Sequence, residues 1–419
     1  MGLTAAEKIL AAASDEDAVE AGDIVEVDVD LSWVHETQLP IFRDLFEQFG
    51  GEVWDREKAM FMVDHIPNPN TVEQAEKVRA VHEYAAEKGM EVVSVGIKHQ
   101  AWRSLGRARP GAIMVGPDSH TPTAGALGAF AACLGPTDTA VVWNRGRTWL
   151  EVPETLEFEL VGEIQPGVTP RDIGFVLLER FGGDTSYFAN GKVVEFSGPF
   201  IETLGLDGRQ TLCNVAVEMG ATATYIEPDE ILEEAYLEDH GQGLDDYHRT
   251  DDDATAIARH TIDVSGVTPK VAFPHSPSNV RSIDEAAGIE IERCFIGSCA
   301  NGMLEDIKLA ADYLEGRSVA DDVELLVTPA TDDIRRAAAE RGYLETLTQA
   351  GARVSPNYCS ACVGYEGVLA AGERCLSTNT RNYRGRMGHR DSEIYLGSPA
   401  VVAASSTTGR VKDPREVGK

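Results

Sequence analysis

Ala112-Ile113-Met114-Val115-Gly116-Pro117-Asp118-Ser119-His120-Thr121 is the stretch that decides the fold. Ala112 to Val115 reads as a strand, and Gly116-Pro117 follows it. An acid, a hydroxyl and an imidazole follow at once, past the carboxyl end. Two other runs repeat the pattern. Ala59 to Val63 reads as a strand ending at Asp64-His65, and Glu91 to Ile97 as a strand ending near His99. Helices fill the intervals. Thr4-Ala5-Ala6-Glu7 is a capping box that opens a helix through about Ala13, and Thr71 with Gln74 caps a long helix that Gly89 closes. Asp23 to Val34 alternates apolar and polar residues, as one half-buried strand does. Strands alternating with helices predict an α/β fold. Sites in open α/β sheets form outside the carboxyl ends of strands, so Asp64, His65, His99, Asp118 and His120 are expected to converge on one pocket.

A chain of 419 residues exceeds what one core organises. A second region runs from about Val152 to Asp263 and carries Thr211-Leu212-Cys213-Asn214 leading into Glu218. The stretch from Val264 to Val280, rich in Pro, Ser and Gly, reads as a linker before a last α/β region. We therefore divide the chain into three α/β domains: 1–151, 152–270 and 271–419.

Composition excludes several classes. No run approaches the roughly 18 apolar residues that a membrane span needs. Glu7, Asp15, Glu16 and Asp17 interrupt any secretory signal, which implies a cytoplasmic protein. The formal net charge is −32, with acidic runs such as Asp251-Asp252-Asp253. Phosphate contacts need clustered Lys and Arg, so nucleic acid is not an expected partner. A wholly acidic surface of this kind suits high salt, where ions screen self-repulsion, and points to a halophilic source.

Seven cysteines in a reducing compartment argue against disulfides. Cys133, Cys213, Cys294 and Cys375 lie in apolar or strand-like surroundings and read as buried structural thiols. Cys299 follows Cys294-Phe295-Ile296-Gly297-Ser298, a strand, a tight turn and a helix start. Cys359 and Cys362 form a Cys-x-x-Cys that another helix is expected to follow. By itself a Cys-x-x-Cys fits a redox pair or half a zinc site. A zinc ribbon would show a second pair, and a thioredoxin-like motif would not need Cys299. Three cysteines without a fourth suit an iron–sulfur cubane with one iron left unligated by protein, a Lewis acid for a substrate hydroxyl.

The chain resembles the aconitase superfamily. Within it, the resemblance is to large subunits of the 3-isopropylmalate dehydratase and archaeal homoaconitase kind. The matching segments run in order along nearly the whole chain: Gly22-Asp23-Ile24-Val25-Glu26-Val27-Asp28, Val63-Asp64-His65, Asp118-Ser119-His120-Thr121, Leu212-Cys213-Asn214, Glu218-Met219-Gly220-Ala221, Gly297-Ser298-Cys299, and Arg381-Asn382-Tyr383-Arg384-Gly385-Arg386. By position, the resemblance implies that Cys299, Cys359 and Cys362 hold one [4Fe–4S] cluster per subunit. Asp64, His65, His99, Asp118, His120 and Glu218 match acid–base residues around the open iron. Ser119, Asn214, Arg381 and Arg386 match substrate-binding positions, where guanidinium grips carboxylate. The remaining histidines, His35 among them, read as structural.

Three departures from the family pattern stand out: Lys98 where cysteine is common before the histidine, Ala300 where threonine is usual, and Ser360-Ala361 where Gly-Pro is frequent. The resemblance also implies a missing piece. Ser405-Ser406-Thr407-Thr408-Gly409-Arg410 does not fit the Gly-Ser-Ser-Arg-like segment of the mobile swivel domain, so a separate small subunit is expected, in a heterodimer or heterotetramer, bringing the catalytic base. The expected reaction is dehydration and rehydration of a small 2-hydroxy di- or tricarboxylate. Isomerisation of 2- and 3-isopropylmalate in leucine biosynthesis leads, ahead of homoaconitate, citraconate and 2,3-dimethylmalate chemistry. An electron-transfer or sensor iron–sulfur protein, or a zinc-stabilised binding protein, would keep the cysteines without needing the strand-end acids and imidazoles.

Overall fold

The structure is a computed structural model that describes residues 2–182, 188–244 and 247–417. The chain divides into two compact units. The first takes the chain up to Ser94, then Trp102–Val161 and Ala189–Ile262. The second takes Val95–Ala101, Gly162–Phe188 and the chain from Asp263 onward.

In the first unit β1 (Ile24–Asp28) and β7 (Arg147–Glu151) pair as an antiparallel ribbon. A parallel sheet is built from β2 (Leu31–His35), β3 (Ala59–Met62), β4 (Val92–Val93), β5 (Ile113–Gly116) and β6 (Phe130–Cys133), in the order β4-β3-β2-β5-β6. Another sheet takes β8 (Glu154–Val161), β9 (Lys192–Ser197), β10 (Ala223–Ile226) and β11 (Ala258–Asp263), in the order β10-β9-β8-β11.

The order of the five-stranded sheet positions the site. β2 is central, pairing parallel with β3 and β5 through His35↔Met62 and Ser32↔Val115, so three carboxyl ends lie side by side. Every residue of β2, β3 and β5 is buried, as strands covered on both faces must be. Trp143, from the helix Pro136–Arg145, packs against Phe42 and Phe61 and donates its Nε1–H to Ser32 Oγ at 3.1 Å.

The structure redraws two expected strands. Asp23 to Val34 is two strands in different sheets: burial alternates along β1, whereas β2 is buried throughout. Glu91 to Ile97 shrinks to β4. From Val95 the chain belongs to the second unit, and His99 lies in the first turn of the helix Lys98–Ser104. The capping box at Thr4 and the Thr71 cap form as expected.

The second unit holds β12 (Lys270–Ala272), β13 (Val280–Ser282), β14 (Arg293–Ile296), β15 (Glu324–Val327), β16 (Arg353–Val354), β17 (Arg374–Ser377) and β18 (Glu393–Gly397). They form one sheet in the order β13-β12-β18-β17-β14-β15-β16. β14 to β18 run parallel, and β12 is antiparallel to both neighbours. The stretch expected as a linker therefore contributes β12, because Val271 and Ala272 are apolar enough to be buried against β18. Ile307, Leu314, Val401 and Val402 cover Leu325 and Val327 in the core.

Two cysteine expectations also change. No α-helix follows Cys362 closely: a 3-10 turn, Ser360–Val363, gives way to Gly364 and Gly367 at φ 74° and 56°, conformations that end helical winding. Cys133, at the end of β6, is exposed rather than buried. Among the described residues no helix is long and apolar enough to cross a membrane.

Candidate active site

The first unit assembles oxygen and nitrogen groups past three neighbouring strands. Beyond β3, buried Asp64 sets Oδ1 at 2.8 Å from His65 Nδ1. A carboxylate at Nδ1 favours the Nδ1–H tautomer and fixes the ring. Beyond β5, Asp118 shapes the turn: its Oδ1 accepts the His120 N–H at 3.0 Å, and its carbonyl accepts Thr121 Oγ–H at 2.7 Å. Ser119 Oγ lies 3.2 Å from His120 Nδ1, and Glu218 Oε1 lies 3.0 Å from His120 Nε2. Glu218 sits in the 3-10 turn Val217–Met219, which ends the helix Leu206–Ala216. On that helix Asn214 Nδ2 donates to Thr123 Oγ1 at 2.9 Å. Close packing there needs glycine: a Cβ on Gly125 would stand 2.0 Å from the Thr224 carbonyl oxygen. Ser119, His120 and Glu218 thus form one chain of contacts, which Asn214 joins through Thr123, whose N–H donates to the His120 carbonyl at 3.1 Å.

β2 contributes a pair that sequence reading passed over. His35, buried, stacks on His65 with ring centroids 4.6 Å apart and an interplanar angle of 14°. Glu36, fully buried, accepts backbone N–H groups from the Asp64–Ile66 turn. The same signal that marked Asp64-His65, polar chemistry past a strand's carboxyl end, was present at His35-Glu36. Reading His35 as a structural histidine passed over it.

The second unit assembles sulfur and guanidinium. Cys299, Cys359 and Cys362 are all buried and none is in a disulfide. Cys299 follows β14 through a tight turn in which Ser298 takes φ 76°, a conformation that a non-glycine residue adopts only when its surroundings enforce it. Here the residue after β17 does so: Thr378 Oγ1 accepts the Gly297 N–H at 2.9 Å, and its carbonyl accepts Ser298 Oγ–H at 3.2 Å. Next to it Asn379 Nδ2 donates to the Cys362 carbonyl at 3.1 Å. One loop thus anchors the turn that leads into Cys299 and the backbone of Cys362. The same loop continues to half-buried Arg381 and Arg386, and Arg386 Nη2 stands 3.4 Å from Cys362 Sγ.

His99 falls with the cysteines rather than with the other strand-end residues. Ile97 packs against Cys299 and Ala330, its N–H donates to the Ala330 carbonyl at 2.8 Å, and Gln100 Nε2 donates to the Cys299 carbonyl at 2.7 Å. Gly96 makes the approach possible: at φ 138°, a Cβ there would stand 2.4 Å from the Ala330 carbonyl oxygen. His99 and Lys98 are both buried.

The donor set fits an iron–sulfur cluster. Thiolates ligate iron, and an N–H donor at a ligating sulfur stabilises its charge. The other cysteines contrast with these. Burial pushes Cys213 and Cys375 up to about 12 and Cys294 well above its ordinary value, so they remain thiols.

Fold and site residues together define an aconitase-type dehydratase. The profile of the aconitase family (aconitate hydratase) matches residues 7–409, and the chain belongs to that family, whose members carry an iron–sulfur cluster. The large subunit 1 of 3-isopropylmalate dehydratase from Methanopyrus kandleri is 44% identical over 420 residues, covering 99% of each chain. Its counterpart from Pyrococcus abyssi is 41% identical over 427 residues, covering both chains fully. Among solved structures, holo aconitase X from Thermococcus kodakaraensis matches with a TM-score of 0.53 at 14% identity, over 91% of this chain and 94% of that one. That likeness speaks for the fold alone.

Proposed function

We propose that the chain is the catalytic large subunit of a [4Fe–4S] hydro-lyase that isomerises 2- and 3-isopropylmalate by dehydration and rehydration, a step of leucine biosynthesis. The observation that carries this reading is full-length similarity above 40% to large subunits so named, with every expected site residue present. Cys299, Cys359 and Cys362 would hold the cluster, and its open iron would supply Lewis acidity toward a substrate hydroxyl. His120, set between Ser119 and Glu218, exchanges the proton of the departing or entering hydroxyl. Asp64 orients His65 and Asp118 fixes the turn of His120. His99 sits between Ile97, which packs on Cys299, and Gln100, which donates to the Cys299 carbonyl, and is assigned to the same acid–base set. Asn214 and Ser119 orient substrate, and Arg381 and Arg386 grip a carboxylate bidentately.

A small swivel subunit would complete the enzyme, as heterodimer or heterotetramer, in the cytoplasm. Buried Lys98, at a position where the family commonly has cysteine, favours keeping homoaconitate, citraconate and 2,3-dimethylmalate as the alternative substrates. The three-domain division stays part of this reading: 1–151 carries the five-stranded sheet and the β1-β7 ribbon, 152–270 the four-stranded sheet, and 271–419 nearly all of the seven-stranded sheet. So does salt adaptation, which the charge of −32 supports. It predicts a melting temperature that rises between 0.1 and about 2 M KCl as repulsion is screened.

The test is anaerobic co-purification with the small subunit and an assay against the four acids. Turnover of 3-isopropylmalate above the others supports the assignment. Full activity of the large chain alone, or zinc in place of iron, overturns it.

A further inference from the structure

We propose that Glu36 is a positioning residue for the acid–base chemistry, acting on His65 through the backbone. The inference rests on reading Asp64-His65 as an acid–base pair. Glu36 directly follows β2 and Asp64-His65-Ile66 follow β3. The two strands are neighbours in register, His35 opposite Met62, so the two overhangs meet side by side. There the Glu36 carboxylate closes on three consecutive N–H groups. Oε1 accepts from His65 at 2.7 Å and Ile66 at 2.5 Å, and Oε2 lies 3.4 Å from the Asp64 nitrogen.

Successive N–H groups converging on one anion form a concavity that holds it strongly, and the converse holds: the anion fixes the three peptides. Burying a carboxylate at zero exposure is costly, so a turn needing only closure would be served by a neutral acceptor. What the charge secures is the origin from which the His65 side chain springs. The ring itself is then fixed twice more. Asp64 Oδ1 holds Nδ1 at 2.8 Å, and His35 covers one face, its own Nδ1 3.1 Å from Thr37 Oγ1. Backbone, edge and face are each constrained by a different residue, the preorganisation that proton transfer needs.

A single-ion site is the competing use of these groups, since ligand atoms of His35, Glu36, Asp64 and His65 all lie within 4.8 Å of one another. An ion there would find Oε1 already holding two N–H groups and Asp64 Oδ1 already at His65 Nδ1. Hydrogen bonding therefore accounts for the quartet better.

The test uses the reconstituted holoenzyme with E36Q, E36D, H65N and the E36Q/H65N pair. E36Q is expected to lower kcat by about 10- to 100-fold, the usual scale for an outer partner, with KM and iron content unchanged. E36D should fall between, and it substitutes for E36Q in the comparison should E36Q fail to fold. In the H65N background the same change should alter kcat less than about twofold, because coupled residues are non-additive. Amide exchange of the peptide around residues 64–66 should accelerate in E36Q while that around Cys299 does not. An unchanged kcat in E36Q, or an equal loss with and without His65, overturns the proposal. So does Mn²⁺ binding to the wild-type holoenzyme that E36Q abolishes, which would make the quartet a cation site. H65N at full activity overturns the acid–base reading itself, a separate failure.

Discussion

The first unit places carboxylates and imidazoles past β2, β3 and β5; the second places thiols and guanidinium past β14, β16 and β17. Both use the carboxyl ends of parallel strands, as open α/β sheets do: β3, β2 and β5 are neighbours, as are β17 and β14, while β15 stands between β14 and β16. They differ in what holds the functional atoms. In the first unit the side chains hold one another: Asp64 on His65 at 2.8 Å and Glu218 on His120 at 3.0 Å. In the second, amide side chains grip the cysteine backbones instead, Gln100 on Cys299 and Asn379 on Cys362. Side-chain partners dominate the hydrogen bonds of the first set and backbone grips those of the second, with Glu36 on the Asp64–Ile66 turn and Arg386 at Cys362 Sγ running the other way.

The most drastic way to break this contrast is to remove a sulfur. Cys299→Ser, Cys359→Ser and Cys362→Ser are each expected to lose cluster iron and sulfide and to drop turnover more than about 1,000-fold. Cys375→Ser, a buried thiol outside the ligand set, should leave iron content unchanged. Iron analysis with electron paramagnetic resonance checks both. A ligand variant with a full iron complement would break the assignment of the second unit.

Next in size comes the first unit. His120→Asn should lower kcat by about 10²- to 10⁴-fold, the range for a positioned proton-transfer group, with the cluster signal intact. Loss of iron in that variant would erase the division of labour between the units.

How much of this was readable before the structure depends on whether the signal is local. β5 stops at Gly116, before Pro117, and β3 at Met62, two residues before Asp64, so their strand-end residues stood out. β2 was obscured because Asp23 to Asp28 alternates and Leu31 to His35 does not, and only tertiary burial separates the two strands. His99 was assigned to a strand end because Glu91 to Ile97 is apolar. Gly96 redirects that segment, and its reason is a backbone approach to Ala330, a long-range contact with no periodic trace. The cysteine triplet was visible as a spacing, but Thr378 and Asn379, which hold the turn before Cys299 and the Cys362 backbone, had no motif of their own.

Gly96→Ala probes that redirected segment. The left-handed φ and the clash with Ala330 should cost about 1–3 kcal/mol of stability. A shifted His99 should lower kcat by about tenfold to a hundredfold. Denaturant unfolding and steady-state kinetics read the two effects separately. Lost stability with unchanged kcat would remove His99 from the reaction.

The smallest expected effects sharpen the contrast through buried acids outside both sites. Desolvation raises Glu195 of β9 to about 7 and Asp172, in the helix Pro170–Phe181, to about 6. Their ordinary values are 4.5 and 3.8, so the folded chain holds these protons more tightly than the unfolded one. The resulting stabilisation is full below the ordinary values and is lost as pH rises through the folded ones. Between pH 5 and 8 each should therefore cost the fold on the order of 1–3 kcal/mol. Glu195→Gln keeps an oxygen for the Thr250 hydroxyl, which donates at 2.9 Å, so it should flatten that slope and raise the melting temperature at pH 8. Asp172→Asn should instead destabilise at every pH. The Asp172 carboxylate accepts the Thr169 and Lys270 N–H groups at 2.9 and 3.0 Å and the Thr169 hydroxyl at 3.0 Å, and an amide cannot serve all three donors. Equal responses of the two variants across that pH range would mean that burial alone, and not the partners of each acid, governs both.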